Sequence, residues 1–262
     1  MTSEMTDFHA TRSAVVTGAS SGIGHATALQ LSDQGWKVFA GARRLDRLEE
    51  LAAQVAQPTG EIIPLELDVT DQDSVDRFVV AVTEAGGVDT VINIAGGAHG
   101  TDPIGQGKDE DWDWMLQTNV MGALRVIRGF LPMLRESGAG TVLNLTSTAG
   151  IVAYEGGAGY NAAKFGEHAL TAALRLEEAE HNLRVVEVLP GLVKTDEFAL
   201  NRMGGDADAA AKVYEGVAEP LTAEDVAEVC VYAVTLPHHI NLDQIVMRPV
   251  KQAAQHKLIR DA

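Results

Sequence analysis

The stretch Ala158-Gly-Tyr-Asn-Ala-Ala-Lys-Phe-Gly166 places a phenol, Tyr160, and an ammonium, Lys164, at positions i and i+4. On a helix these positions share a face, with Cβ atoms about 5–6 Å apart. The spacing alone leaves two readings open, a coincidence of packing or one half of a catalytic site. A second reactive group lies upstream. Val142-Leu-Asn-Leu-Thr-Ser147 reads as a strand ending in a hydroxyl, and open α/β sheets place their chemistry at the carboxyl ends of strands.

Near the amino terminus, Thr17-Gly-Ala-Ser-Ser-Gly-Ile-Gly24 joins a strand to a helix. Glycine at 18, 22 and 24 suits a tight turn that backbone and pyrophosphate can share, and the first amides of the helix attract the phosphates. Turns use glycine anyway, so the strand before and the helix after carry this nucleotide reading. The second strand ends in Gly41-Ala42-Arg43-Arg44, where an NAD-binding chain would carry an acid for the ribose hydroxyls. A guanidinium fork accepts a 2′-phosphate, so the cofactor expected is NADP(H), with Arg43 its main contact and Arg44 beside it. The alternative is that both arginines simply begin a solvated helix face with Asp46, Arg47 and Glu49.

These groups need elements to hold them. Ser13–Thr17, Lys37–Ala42, Ile62–Asp68, Thr90–Ile94, Thr141–Thr146 and Arg184–Leu189 read as strands, mostly apolar, as strands buried on both faces are. Gly22–Gln34, Leu45–Val55, Ser74–Ala85, Asp111–Arg135 and Ala158–His181 read as helices between them. The alternation predicts an α/β fold, a single-domain, Rossmann-like, doubly wound parallel sheet flanked by helices. One catalytic domain, 11–250, would hold cofactor and active site together, with tails at 1–10 and 251–262. Residues 191–219, rich in Gly, Ala and charge, read as a substrate lid before an apolar helix at Ala223–Thr235 and a last strand at Gln244–Arg248.

Composition narrows the function. A net charge of −17, with no basic patch, argues against a nucleic-acid partner. No apolar run is long enough to span a bilayer and no amino-terminal leader is visible, so a soluble, cytoplasmic chain without a membrane partner is expected. Cys230 is the single cysteine, and its apolar setting reads as a small buried hydrophobe. His238 and His239 are adjacent and lack ligands at metal spacing, so no metal is expected. Trp112 and Trp114 sit among acids at a helix start and read as packing groups.

Taken in order, TGASSGIG at 17–24, Asp68-Val69, NIAG at 93–96, Asn119 in TNVMG, Ser147, Tyr160 with Lys164, and PGLVKT at 190–195 resemble the short-chain dehydrogenase/reductase family over essentially the whole chain. The resemblance implies an enzyme that moves a hydride between NADP(H) and a secondary alcohol or carbonyl. Its catalytic residues would be Asn119, Ser147, Tyr160 and Lys164. A free phenol has a pKa near ~10, and Lys164 would favour its ionised form. Tyr160 would then exchange a proton with the substrate oxygen. Ser147 would hold that oxygen, and Asn119 would anchor a water linking Lys164 to solvent. Gly18, Ser20, Ser21, Gly22, Ile23 and Gly24 would cradle the cofactor, with Tyr160 and Lys164 also contacting it. Asp68 and Val69 would meet the adenine, while Asn93, Ala95 and Gly96 would line the cofactor. Pro190, Gly191, Val193 and Thr195 would close its other end, Thr195 on the carboxamide.

Two positions depart from the pattern. Ile94 replaces a frequent second asparagine, and Ser21 stands where many NADP-dependent members carry a basic residue. A non-redox relative or a cofactor sensor on this fold would be expected to lose the glycine turn, Lys164, Tyr160 or Ser147, and all are present. The segment 221–250 resembles the 3-hydroxy acid (serine and allo-threonine) dehydrogenase branch, and also some antibiotic-pathway aldehyde reductases. A hydroxy acid needs a cation for its carboxylate. Of the lid cations Lys194, Arg202 and Lys212, only Arg202 has the bidentate fork, the other reading being a solvated loop charge. Substrate contacts are therefore expected from Ser147, Tyr160 and Arg202, with ketone or aldehyde reduction as the alternative activity. A homotetramer or homodimer is expected through the helices 111–135 and 158–181, by the family's habit.

Overall fold

Along each central strand, successive side chains enter two different cores. Ala14 and Val16 join one apolar cluster and Val15 the other; Leu143 and Val142 divide in the same way, as do Val186 and Val185. A strand whose period-two alternation is apolar on both sides must be covered on both sides. The computed structural model describes residues 12–55 and 60–261; the expected amino-terminal tail, 1–10, lies outside the described residues.

The strands β1 (Ser13–Thr17), β2 (Lys37–Ala42), β3 (Glu61–Glu66), β4 (Thr90–Asn93), β5 (Thr141–Leu145), β6 (Arg184–Pro190) and β7 (Gln244–Met247) form one parallel sheet in the order β3-β2-β1-β4-β5-β6-β7. On one face lie α1 (Gly22–Asp33), α2 (Leu45–Ala52) and α9 (Ala223–Thr235); on the other lie α3 (Gln72–Glu84), α5 (Gly122–Glu136) and α6 (Ala158–Glu177). The large side chains Leu31, Phe39, Phe78 and Phe130 are fully buried in these layers, each contributing about 1.5–3 kcal/mol of burial. Cys230 sits in the same apolar packing, where burial pushes its thiol up to about 12.

The chain steps outward from β1 to β3 and then returns to the other side of β1 as β4. That reversal opens a crevice above the carboxyl ends of β1 and β4, where doubly wound sheets bind ligands. Thr17 bridges it, its Oγ1 accepting from the amides of Ile94 and Ala95 at 3.0 Å each.

Apart from small shifts at element ends, three segments differ from the sequence-based expectation. The helix expected at 111–135 is α4 (Asp109–Met115), a π-helical stretch Leu116–Met121, and α5. Asn119 causes the break, because its Nδ2 donates to the Met115 carbonyl one turn back at 2.7 Å and to Gly97 O at 3.0 Å. A side chain inserted into the helical ladder widens it into a bulge. The helix expected to reach His181 ends at Glu177, and after a short 3₁₀ turn Asn182 adopts φ 56°, releasing the chain into β6. Residues after 250, expected as a tail, instead form a hairpin of β8 (Gln252–Ala254) and β9 (Lys257–Leu258). It is held because Gln252 Oε1 accepts from the Leu192 amide at 2.8 Å and the Asp261 amide donates to Gly216 O at 2.8 Å.

Candidate active site

The glycine turn makes the floor of the site. Gly18 has φ 70°, a left-handed conformation that disfavours any side chain. Gly24 lies so close to the turn that a Cβ there would stand 2.3 Å from Gly18 O. Ser21 precedes α1 without capping it, its hydroxyl going to Glu197 Oε2 at 3.0 Å instead. The first amides of α1 thus remain available to an anion.

The reactive groups converge from β5, α6 and the connection between them. Ser147 follows β5 and accepts from the Ala149 amide at 3.1 Å, starting a 3₁₀ turn over Thr148–Gly150. Gly150 packs so tightly on α6 that a Cβ would lie 2.7 Å from Lys164 O. Asn161, beside Tyr160 in sequence, completes the clamp. Its Nδ2 donates to Ala149 O at 2.7 Å and Val152 O at 3.2 Å, and its Oδ1 accepts from the Tyr154 amide. The loop carrying Ser147 is thereby bound to the first turn of the helix that carries Tyr160.

Tyr160 and Lys164 are buried on one face of α6, with Lys164 Nζ 5.9 Å from the Tyr160 ring centroid. Lys164 donates to Glu167 Oε2 at 2.6 Å and to Leu145 O at 3.1 Å. Burial raises the Tyr160 pKa above the ordinary phenol value, with Lys164 and Ser147 opposing the rise. Arg202, from α7 (Phe198–Arg202) in the segment after β6, reaches over the same phenol with its guanidinium carbon 5.7 Å from the ring centroid. Its nitrogens donate to Tyr154 Oη at 2.9 Å, Gly156 O at 3.1 Å and Gly100 O at 3.3 Å. Every one of these acceptors is neutral, and no carboxylate pairs with Arg202 among the described residues.

One cavity of about 880 Å³ joins the glycine turn, Arg43, Arg44, Asp68, Ser147, Tyr160, Lys164, Thr195 and Arg202. Asn93 and Asn119 stand behind its wall. Asn93 donates to Asn144 Oδ1, Asn144 Nδ2 donates in turn to Thr171 Oγ1, and Asn119 is spent on the backbone of Gly97 and Met115. The two arginines also part company. Arg43 is exposed, whereas Arg44 makes a forked pair with Glu197 at 2.7 and 2.8 Å and donates to Ser20 Oγ at 3.0 Å. That contact holds the Glu197 carboxyl below its ordinary value.

Several contributors were not expected. Trp114, read as a packing group, lines the cavity while stacked on His99 at 3.8 Å. Phe198 meets the Tyr160 ring edge-on at 5.8 Å. Gln252 and Gln255 from the terminal hairpin form another wall, Gln255 accepting from Thr148 Oγ1 at 2.8 Å. Glu167 alone carried a sequence signal, its i+3 spacing from Lys164; the rest depend on contacts across the chain.

The family model described as short chain dehydrogenase matches residues 12–203. An uncharacterized oxidoreductase of Mycobacterium tuberculosis is 47% identical over 243 residues, covering 93% of each chain. Serine 3-dehydrogenase of Agrobacterium fabrum is 36% identical over 240 residues, covering 91% of this chain and 94% of the relative. Among solved structures, the closed form of serine dehydrogenase complexed with NADP+ superposes with a TM-score of 0.87 at 33% identity, covering 95% of this chain and all of that one. The parallel sheet, the glycine turn at its switch point and the Tyr160–Lys164 pair beside Ser147 therefore have their explanation in descent: the chain belongs to the short-chain dehydrogenase family and is an oxidoreductase.

Proposed function

We propose that the protein is an NADP-dependent dehydrogenase of short 3-hydroxy acids, in which Arg202 binds the substrate carboxylate. The carrying observation is the Arg202 guanidinium, directed over the Tyr160 ring and hydrogen-bonded, among the described residues, only to neutral oxygens. A guanidinium without a counter-ion beside a proton-transfer group suits an anionic substrate, which would complete the fork. The relatives named for serine, itself a 3-hydroxy acid, support the same class.

The residues present fit the dinucleotide. Gly18 and Gly24 leave backbone where side chains would intrude, the open amides of α1 face the crevice, and Arg43 and Arg44 stand at its outer edge. Arg43 and Arg44 would hold the 2′-phosphate, Asp68 and Val69 the adenine end, and Lys164 and Thr195 the nicotinamide end. When bound, NADP(H) supplies or accepts the hydride. Tyr160 gives its proton to the carbonyl oxygen in reduction and takes one from the hydroxyl in oxidation. Ser147 holds that oxygen by its hydroxyl. Asn119 acts by fixing Gly97 and the π-helical stretch against the site. Its Nδ2 donates to the Met115 and Gly97 carbonyls and its Oδ1 accepts from the Gly97 amide, and in this reading Asn119 also anchors the water that links Lys164 to solvent.

The segment 191–219 serves as the substrate lid. Its helix α7 brings Phe198 and Arg202 over Tyr160, and Tyr214 Oη ties a second helix, α8 (Ala207–Tyr214), to Val193 O at 3.1 Å. Cofactor and substrate thus share the single domain 11–250, to which the hairpin after 250 adds a wall. The compartment proposed is the cytoplasm, where a freely diffusing dinucleotide is at hand. No helix among the described residues is long and apolar enough to cross a membrane. Leu116 and Phe165, exposed on the two long helical segments, support assembly into a homodimer or homotetramer through that face.

The substrate assignment is tested by kcat/KM for 3-hydroxy acids against their methyl esters, in wild type and in Arg202→Ala. The wild type is expected to prefer the acids by about 10²-fold or more, because an ester leaves the guanidinium unpaired, and the variant is expected to lose that preference. Equal rates on acids and esters would replace this reading with reduction of a less polar ketone or aldehyde.

A further inference from the structure

The alcohol carbon of a bound 3-hydroxy acid has a tetrahedral set of substituents, and the proposed site accounts for all but one of them. Tyr160 and Ser147 meet the oxygen, Arg202 meets the carboxylate arm, and the cofactor takes the hydrogen. The remaining group must lie against what is left of the cavity wall around Tyr160. That wall is aromatic. Trp114 from α4, Tyr154 from the β5–α6 connection and Phe198 from α7 all pack with Tyr160 in one apolar cluster, all line the cavity, and all are only partly buried. We propose that this wall takes a flat apolar group, so that the preferred substrates are 3-hydroxy acids with an aryl ring on C3, rather than acids such as serine in which a second hydrogen stands there.

Trp114 is placed for this contact. A Cβ on Gly97 would lie 3.0 Å from Trp114 Cη2, so the far edge of the indole rests on the backbone strip that continues into Gly96. A Cβ on Gly96 would in turn stand 3.5 Å from Lys164 Nζ. The indole edge thus reaches the strip of chain that borders the reacting groups. His99 stacks on the indole at 3.8 Å with 6° between the planes, and its Nδ1 lies 3.4 Å from Asp111 Oδ1. Two parallel rings backed in this way form a flat surface with little freedom left to lose when another ring covers it.

Phe198 bounds the same space from α7, meeting the Tyr160 ring edge-on at 5.8 Å. The nearby charge is directed elsewhere. Arg202 lies over Tyr154 and Tyr160, its guanidinium carbon 5.6 and 5.7 Å from their centroids, and among the described residues no cation stands over Trp114 or Phe198. Against such ring faces a polar substituent loses water without gaining a hydrogen bond, whereas an aryl ring buries apolar surface and stacks. With oxygen, carboxylate and hydrogen directed by their partners, the last direction is directed too, so the effect belongs to a single enantiomer.

This inference rests on the 3-hydroxy acid reading, which the comparison of acids with esters tests separately. Loss of the acid preference with the aryl preference intact would remove Arg202 from substrate binding and leave the aromatic wall in place. The test of the wall is kcat/KM for each enantiomer of 3-hydroxybutanoate and 3-hydroxy-3-phenylpropanoate, in wild type and in Trp114→Ala. In wild type, one phenyl enantiomer is expected to exceed 3-hydroxybutanoate by about tenfold or more. In Trp114→Ala that ratio is expected to fall by about tenfold, whatever the overall rate of the variant. The variant controls for the easier oxidation of a benzylic alcohol, because a substitution in the wall leaves the chemistry of the substrate unchanged. A wild type without the phenyl preference, or a Trp114→Ala enzyme that keeps it in full, overturns the proposal. If Trp114→Ala does not fold, competitive inhibition of the wild-type enzyme by unreactive acids decides. 3-Phenylpropanoate is expected to bind about tenfold more tightly than butanoate, and equal inhibition constants overturn the proposal.

Discussion

The two ends of the cavity are built from different materials. At the cofactor end, contacts come from backbone: the Gly18–Gly24 turn, the open amides of α1 and the Thr17 bridge to Ile94 and Ala95 all lie within the first βα unit and its neighbouring strand. At the other end, the lining comes from side chains delivered by distant segments, with Arg202 from α7, Tyr154 from the β5–α6 connection and Gln252 and Gln255 from the terminal hairpin. The ion pairs repeat the contrast. Arg44–Glu197 spans the cofactor entrance with both partners a third or more exposed, whereas Lys164–Glu167 is sealed behind the phenol. A backbone cradle recognises what every dinucleotide shares, while side chains on a lid can change the substrate without disturbing it.

Mutations can break this division at points of decreasing consequence. Tyr160→Phe removes one hydroxyl and is expected to lower kcat by 10²-fold or more, the usual worth of a general acid. Cofactor affinity, measured by fluorescence titration, should stay within a few fold, because the cradle is untouched. A variant keeping more than about a tenth of kcat would separate the phenol from proton transfer. Arg43→Ala should leave substrate preference intact and cut the preference for NADP over NAD, read as a ratio of kcat/KM values, by about ten- to a hundredfold, the size of one charge-assisted contact. An unchanged ratio would leave Arg44 to bind the phosphate alone. Glu197→Gln should have the smallest effect. A partly exposed ion pair is worth at most about 1 kcal/mol, so thermal unfolding should barely shift, while NADP affinity should tighten a few fold as Arg44 is freed for the phosphate. A large loss of stability would show the segment after β6, through Glu197, to be part of the cofactor end after all.

The legibility of the molecule follows the same line. Tyr160 and Lys164 can be paired from sequence because the helix converts i and i+4 into neighbours, and Ser147 can join them because it ends a strand. Asn119 marks the limit. Its place in the TNVMG motif is legible, yet its contacts with Gly97 and Met115, and the π-helical stretch they impose, follow from a loop folding back after β4. Asn161 adjoins Tyr160 in sequence and gives no signal there, since its partners Ala149 and Val152 become near only when the 3₁₀ turn docks on α6. The segment after 250 has no strong pattern; its two short strands pair with each other, and contacts with Leu192 and Gly216 fix the hairpin against the site.

What the amino-acid order alone determined is whatever short-range geometry dictates: the apolar strands and amphipathic helices that must become a covered parallel sheet, the glycines that permit a phosphate turn, and the phenol and ammonium on one helical face. Tertiary structure decided the rest. It set Arg44 against Glu197, laid Arg202 over Tyr160 with neutral oxygens as its partners among the described residues, and sealed Lys164 against Glu167 beneath the sheet's carboxyl edge. The physical reason is that a charge has no fixed meaning in a sequence. Whether it is solvated, paired or poised for a ligand depends on burial and on partners that only the folded chain brings within a few ångströms.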